Sequence, residues 1–314
     1  MEISLIKIAN ILKTKNNFCI LTHQYPDGDT LGSAFALCKA LQNLGKAAKV
    51  LDSENVPNKY SFLKHNVENQ IFNPEYIISV DIADKKLIPS LFENFASKID
   101  LCIDHHKTNK NFAKLNYVDS SAAATSEIIF ELLNLINTEI DVDIANCLYT
   151  GIATDTGCFK YSSTTARTHK IAAKLIEYGA KAAQINRDVF EIKTIEQFTA
   201  EKLIFNSTEF YFKNKVAAMF VTFNILKKSN ADDSLIDGIA GMPLRIKGVL
   251  IGLTFRQKED HLYKVSVRTV KGINAAEICS YFEGGGHVNA AGCTVNGNLN
   301  EVKEKLLNCI KNYL

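Results

Sequence analysis

The sequence predicts an α/β fold in two parts. A parallel sheet covered by helices comes first, and a smaller α+β domain follows. Three observations carry this. Apolar runs of strand length alternate with helical stripes through the first half, the rhythm of a parallel sheet with helices on both faces. Three of those runs end in carboxylates or imidazoles, as expected where parallel strands present their carboxyl ends to a ligand. After about residue 185, strand-like segments arrive closer together.

Taken in order, the first strand is Phe18-Cys19-Ile20-Leu21-Thr22, running into His23. A helix is expected over Thr30 to Leu44, where Leu31, Phe35, Cys38 and Leu41 form one stripe that Gly45 stops. Ala47 to Leu51, Tyr76 to Val80 and Asp100 to Ile103 read as further strands, and Thr125 to Ile136 and Ile144 to Ala153 as helices. Ile195 to Asn206 has the look of a connecting helix. Strands are then expected at Glu209 to Phe212, Val216 to Phe223, Val249 to Phe255 and Tyr263 to Arg268, with helices at Ala275 to Phe282 and Glu301 to Asn312. The joint is not rich in glycine or serine, so it reads as a defined hinge.

Composition narrows the function. The chain has 314 residues, 46% of them hydrophobic and 22% charged, with a formal net charge of +2. That balance argues against a broad basic face for duplex nucleic acid, so an anionic substrate would need a local positive site. The apolar runs are too short for a membrane span. The segment Met1 to Asn10 lacks a basic-then-apolar leader, so a cytoplasmic location is expected. The 8 cysteines include no C-x-x-C pair and read as reduced core residues rather than a zinc cluster or disulfide frame.

Five segments carry chemistry. In His23-Gln24-Tyr25-Pro26-Asp27-Gly28-Asp29, proline and glycine impose a tight turn that lets closely spaced ligands converge. Asp81-Ile82-Ala83-Asp84 follows the strand at Tyr76 to Val80. Asp104-His105-His106 ends another apolar run, and two adjacent imidazoles beside a carboxylate are hard to explain as packing. Gly151-Ile152-Ala153-Thr154-Asp155-Thr156-Gly157 has flanking glycines that allow close backbone approach and would leave Asp155 on a turn. Gly284-Gly285-Gly286-His287 offers backbone N–H groups that can cradle an anion, with Arg268 and Lys271 near in sequence. Each segment alone also reads as an ordinary turn or cap; the set is what points to a site. Carboxylates and imidazoles without cysteine suit Mn²⁺ or Mg²⁺ better than structural zinc, and the supply is enough for two ions. Paired ions about 3.5–4 Å apart are the usual apparatus for phosphate-ester hydrolysis. His65, His169 and His261 lie in polar company and read as surface residues.

With these motifs on the page, the chain resembles the DHH phosphoesterases, in the branch whose second domain carries a GGGH motif. Its layout is similar to the bacterial nanoRNase / pAp phosphatase group over essentially the whole length. The resemblance implies a Rossmann-like catalytic domain at residues 1–185, a helical linker at 186–206, a substrate-binding domain at 207–314, and an active-site cleft between the domains. It implies one Mn²⁺ on His23, Asp27 and Asp81, and a second on Asp29, Asp81, His105 and Asp155, so that Asp81 bridges. It implies that His106 contacts the scissile phosphate, that Asp104 orients an imidazole, and that Arg268, Gly285, Gly286 and His287 grip the substrate's terminal phosphate. The implied partners are short single-stranded RNA or small nucleotides, without duplex DNA or membrane; a homodimer is compatible with the sequence. The rival readings are a cyclic di-AMP or pApA diesterase and, in a different class, a non-catalytic nucleotide-binding regulator, against which the complete ligand set argues. An inorganic pyrophosphatase would lack GGGH, and a RecJ-type exonuclease would need additional domains.

Overall fold

The computed structural model describes residues 1–52, 56–65, 67–236 and 238–314. These form two compact units, residues 1–192 and 193–314. The helical stretch expected as a linker at 186–206 thus falls on both sides of the division.

The first unit begins with α1 (Leu5–Thr14), which the sequence reading did not assign. The Ser4 side chain caps it, accepting from the Lys7 N–H, and Ile8, Ala9 and Leu12 form its buried stripe. Five parallel strands follow: β1 (Phe18–Leu21), β2 (Ala48–Leu51), β3 (Tyr76–Val80), β4 (Leu101–Asp104) and β5 (Leu115–Val118), ordered β2-β1-β3-β4-β5. Side chains alternate across the sheet. Phe18 and Ile20 enter one apolar cluster with helix residues such as Leu37 and Leu133. Cys19 and Leu21 enter another with Ile77, Ile82 and Cys102. Burial on both faces explains why these strands read as continuous apolar runs.

The connecting helices are α2 (Gly28–Asn43), α3 (Glu93–Ala96), α4 (Thr125–Ile136), α5 (Val142–Asp155), α6 (Ala166–Glu177) and α7 (Ala182–Asn186). The chain runs from β1 to β2 on one side and returns to β3 on the other. The strand order therefore reverses at β1 and β3, and a crevice opens beyond their carboxyl ends. Asp27 caps α2, accepting from Asp29 and Thr30 N–H groups. Helix α4 has Ala124 at its N-cap and so no side-chain cap of its own, and its first N–H groups are satisfied from elsewhere.

Helices α2 and α5 approach backbone to backbone because two glycines permit it. A methyl on Gly32 would overlap the Cys147 carbonyl oxygen, and one on Gly151 would overlap the Ser126 hydroxyl and crowd Asp29.

The second unit is built on a mixed sheet. Its elements are α8 (Ile195–Asn206), β6 (Glu209–Tyr211), β7 (Val216–Val221), α9 (Phe223–Ser229), β8 (Ile251–Glu259), β9 (Leu262–Thr269), α10 (Ala275–Ser280), β10 (Gly285–His287), β11 (Ala290–Asn296) and α11 (Leu299–Ile310). The order is β10-β11-β9-β8-β7-β6, with β7 and β8 parallel and the other pairs antiparallel. Along β7, Val216, Ala218 and Phe220 pack with α10 and α11 residues, while Met219 and Val221 pack with Ala200 and Ile204 of α8.

Replacing Gly32 with alanine forces the α2 and α5 backbones apart. We expect the G32A variant to lose about 1–3 kcal/mol of stability, the usual range for overpacking. Denaturant unfolding measures this, and an unchanged midpoint would contradict the close approach.

Candidate metal centre and anion pocket

Residues from all four motifs of the first unit converge at the β1–β3 crevice. His23 follows β1, Asp27 and Asp29 open α2, Asp81 follows β3, Asp104 closes β4, and His105 and His106 come directly after it. Asp155 is the last residue of α5 rather than a residue on a turn, because Gly151 continues the helix instead of breaking it. Asp84 stays outside the cluster and caps a short 3₁₀ turn by accepting from Lys86 N–H.

Asp81 is the hub. It is buried and left-handed, with φ of 59°, a conformation an aspartate tolerates at some cost. Its N–H donates to the Ile103 carbonyl at 2.9 Å. One carboxylate oxygen, Oδ2, lies 3.9 Å from His23 Nε2; the other, Oδ1, lies 3.6 Å from His105 Nε2 and 3.6 Å from His106 Nδ1. His23 Nε2 is also 3.8 Å from Asp27 Oδ1, and His105 Nε2 is 3.0 Å from Asp155 Oδ2.

Among the described residues, donor atoms fall into three overlapping groups whose members lie within 4.8 Å of one another: His23, Asp27 and Asp81; Asp29, His105 and Asp155; and Asp81, His105 and His106. The fit to a cation is testable on His105. Its Nδ1 faces the Ala122 carbonyl at 3.3 Å, which places the proton there. Its Nε2 is buried and has no aligned hydrogen-bond partner. An imidazole oriented through one nitrogen, with the other aimed among carboxylates, is the arrangement of a metal-ligating histidine. The oxygen-rich donor set suits divalent cations.

His106 is held differently. Its Nδ1 lies 2.7 Å from Asp104 Oδ1. Asp104 is fully buried and also accepts from His105 N–H at 2.8 Å and Asn109 Nδ2 at 2.6 Å. With both oxygens engaged, Asp104 orients His106 and is absent from the donor groups. Burial works to raise the Asp104 pKa, but hydrogen bonds from His106 and Asn109 outweigh it and hold it below the usual carboxylate range. The same contact with Asp104 raises His106, against burial.

The rest of the centre is crowded with like charge. Burial, reinforced by Asp155, pushes Asp29 up to about 7. Burial and the neighbouring Asp29, Asp27 and Asp155 hold Asp81 well above the usual range. For His105, burial opposes the charged ring, yet Asp155 and Asp29 raise it to about 9. Burial lowers His23.

In the second unit, an open depression of about 580 Å³ is lined by Lys264, Ser266, Arg268, Gly284, Gly285 and Gly286, among others. Period-2 alternation on β9 puts Lys264, Ser266 and Arg268 on one face, while Tyr263, Val265 and Val267 enter the core. Their partners on β11 across the register are Thr294, Gly292 and Ala290, small enough to leave room. Lys264 and Ser266 were missed from sequence, although that alternation was readable. The glycine run is a strand, not a loose turn: β10 pairs with β11, Gly286 has φ of 144°, and a side chain at Gly284 would overlap the Gly292 carbonyl oxygen. Arg268 Nη1 donates to the Val267 carbonyl at 3.1 Å. His287 is exposed beside this depression in sequence but is not among its lining residues, and Lys271 is exposed. His65, His169 and His261 are exposed, His169 stacking on Phe159.

The raised groups give the metal-free protein a definite pH dependence. Asp29, Asp81, His105 and His106 keep protons when folded that the unfolded chain releases near pH 4 for carboxyls and near 6.5 for imidazoles, by ordinary values of about that size. Their stabilisation is present at low pH and is lost as pH rises through the folded values of about 7 for Asp29 and about 9 for His105. His23 opposes this, since its lowered value favours the fold as pH rises. We expect the unfolding temperature in chelator to fall from about pH 5 to about pH 9. A temperature that climbs across this range would contradict the electrostatics.

Comparison with known proteins agrees with this architecture. Residues 17–152 match the DHH family, N-terminal domain, and residues 213–314 match the DHHA1 domain. A bifunctional oligoribonuclease and PAP phosphatase of Thermus thermophilus is 30% identical, covering 98% of this chain and 93% of its own length. The cyclic-di-AMP phosphodiesterase GdpP of Bacillus subtilis is 25% identical over 98% of this chain, which spans only 49% of that relative. An exopolyphosphatase-related protein of Bacteroides fragilis shares the fold, with a TM-score of 0.86, 22% identity and coverage of 98% and 96%. Among the described residues, no helix is long and apolar enough to cross a membrane. With its two domain matches, its full-length relative at 30% identity and its convergent Asp-His-His cluster, the chain belongs to the DHH family of phosphoesterases.

Proposed function

We propose that this phosphoesterase hydrolyses short single-stranded oligoribonucleotides and 3′-phosphoadenosine 5′-phosphate at a two-manganese centre. The observation that carries the reading is that the two oxygens of Asp81 face different donor groups, one toward His23 and the other toward His105. One ion would be held by His23, Asp27 and Asp81, and the other by Asp29, Asp81, His105 and Asp155. When bound, such a pair supplies Lewis acidity and a water acidic enough to be deprotonated near neutral pH.

The chain's own residues do the rest. Asp104 fixes the Nδ1 edge of His106, which leaves Nε2 to the substrate. The hydrogen bond from Asp104 raises the His106 pKa and so favours the ring that carries a proton on that nitrogen, the form that donates to a phosphoryl oxygen and follows the leaving oxygen. In the second unit, Arg268 and Lys264, together with the backbone N–H groups of Gly285 and Gly286, bind the terminal phosphate, and His287 adds a donor at the rim. A pocket that grips a strand end favours short substrates over long or paired ones. The relative from Thermus thermophilus supports this substrate class. The match to GdpP supports cyclic di-AMP less, since half of that relative has no counterpart in this chain.

Two variants test the division of labour. Asp81→Ala should lower Mn²⁺-dependent hydrolysis of pApA and pAp by at least about 10²-fold, since even partners of metal ligands cost 10–100-fold. Retained activity would refute the bridging role. His287→Ala should raise KM about tenfold with kcat little changed, the effect of losing one charge-assisted hydrogen bond of about 1.4 kcal/mol. An unchanged KM would remove His287 from the pocket.

A further inference from the structure

We infer that Thr125 is a positioning residue that fixes the rotation of the Asp81 carboxylate, within a strap, residues 119–127, that Arg167 clamps. The inference rests on the two-ion reading of Asp81. The strap joins β5 to α4 and touches three of the residues that converge in the crevice. The Ala122 carbonyl faces His105 Nδ1 at 3.3 Å. The Thr125 N–H donates to Asp29 Oδ2 at 2.6 Å, and the Ser126 N–H donates to Asp29 Oδ1 at 2.9 Å. The first N–H groups of α4, left uncapped by Ala124, are thus satisfied by an aspartate from α2. The Thr125 hydroxyl donates to Asp81 Oδ1 at 3.0 Å.

Thr125 is fully buried and bonds carboxylates from two different elements. Its N–H survives substitution by any residue but proline, whereas its hydroxyl can be removed with little change of shape. That hydroxyl takes one lone pair of Oδ1 and so sets the plane of a carboxylate whose two oxygens must serve different neighbours. Without it, Asp81 loses the one side-chain hydroxyl that donates to its Oδ1 among the described residues, and its plane is set by the imidazoles alone. Serine preserves the donor; valine preserves only the shape.

The strap is held from behind. Glu127 is fully buried on the first turn of α4, and its Oε2 accepts from the Ala123 N–H at 3.2 Å. It lies 3.6 Å from Arg167 Nε on α6. Arg167 also pairs with Asp119 at 2.7 Å and with Glu131 at 2.8 Å. One guanidinium therefore spans both ends of the strap, a task suited to its planar fork of donors.

The test is calorimetric titration of Mn²⁺ into metal-free wild type, Thr125→Val and Thr125→Ser, with a thermal melt of each metal-free protein. We expect T125V to bind Mn²⁺ about tenfold more weakly, the low end for partners of metal ligands, and T125S to bind as wild type does. Hydrolysis by T125V should recover as Mn²⁺ is raised. Wild-type affinity in T125V overturns the inference, and so does a T125S as weak as T125V, while a wild type that binds Mn²⁺ leaves the metal centre standing. A wild type that binds no Mn²⁺ overturns both. If T125V does not fold, Arg167→Lys carries the test: it keeps a cation beside Glu127 but loses the fork. Weaker Mn²⁺ binding supports the clamped strap; unchanged binding overturns it.

Discussion

Mutual repulsion among carboxylates in a partly buried crevice is the constraint on which the first unit turns. Asp27, Asp29, Asp81 and Asp155 gather around three imidazoles, and Asp29 and Asp81 are buried. Two like charges 4 Å apart cost about 4 kcal/mol at an effective dielectric of 20. The protein alone offsets this only in part: burial and like charge raise the pKa of Asp29 and Asp81, Asp155 and Asp29 favour the charged His105 ring, and the N-terminus of α4 turns toward Asp29. Divalent cations relieve the repulsion directly. A fold that assembles such a cluster and keeps it compact is arranged for them.

The sheet order makes the gathering geometrically simple. Reversal at β1 and β3 brings the ends of two strands, the start of α2 and the end of α5 to one crevice, and Gly32 and Gly151 let α2 and α5 pack closely beside it. The second unit supplies a complementary chemistry. Its sheet buries one set of alternate residues on β9 and presents lysine, serine and arginine on the other, beside a glycine strand with little side chain in the way. An oxygen-rich donor set and a cationic one are thus built on separate scaffolds within one chain.

Much of this was legible in the sequence, for identifiable reasons. Strands β1, β3 and β4 were readable because both faces are buried, so each is a continuous apolar run with an abrupt polar end. The sequence places Asp81 and Asp104-His105-His106 directly after such ends, where the sheet delivers them. Other elements were hidden. Strand β5 carries buried Asn116, whose side chain bonds the Ala113 backbone, and its apolar signal is broken. Where β10 meets β11 the paired residues are glycine and alanine apart from His287, types that lack strand propensity, and β11 is held in turn by pairing with β9. Asp155 looked like a turn residue because Gly151 and Gly157 flank it, yet Gly151 serves helix packing. Thr125 and Arg167 carried no signal, since their partners Asp81 and Asp119 are dozens of residues away and meet them only in three dimensions.

The most direct measurement is a crystal structure of the protein soaked in Mn²⁺, with anomalous scattering used to locate the ions. A centre bridged by Asp81 requires two peaks about 3.5–4 Å apart, with one Asp81 oxygen on each, His23 beside the first and His105 beside the second. A single peak, or two peaks neither of which touches Asp81, would contradict it.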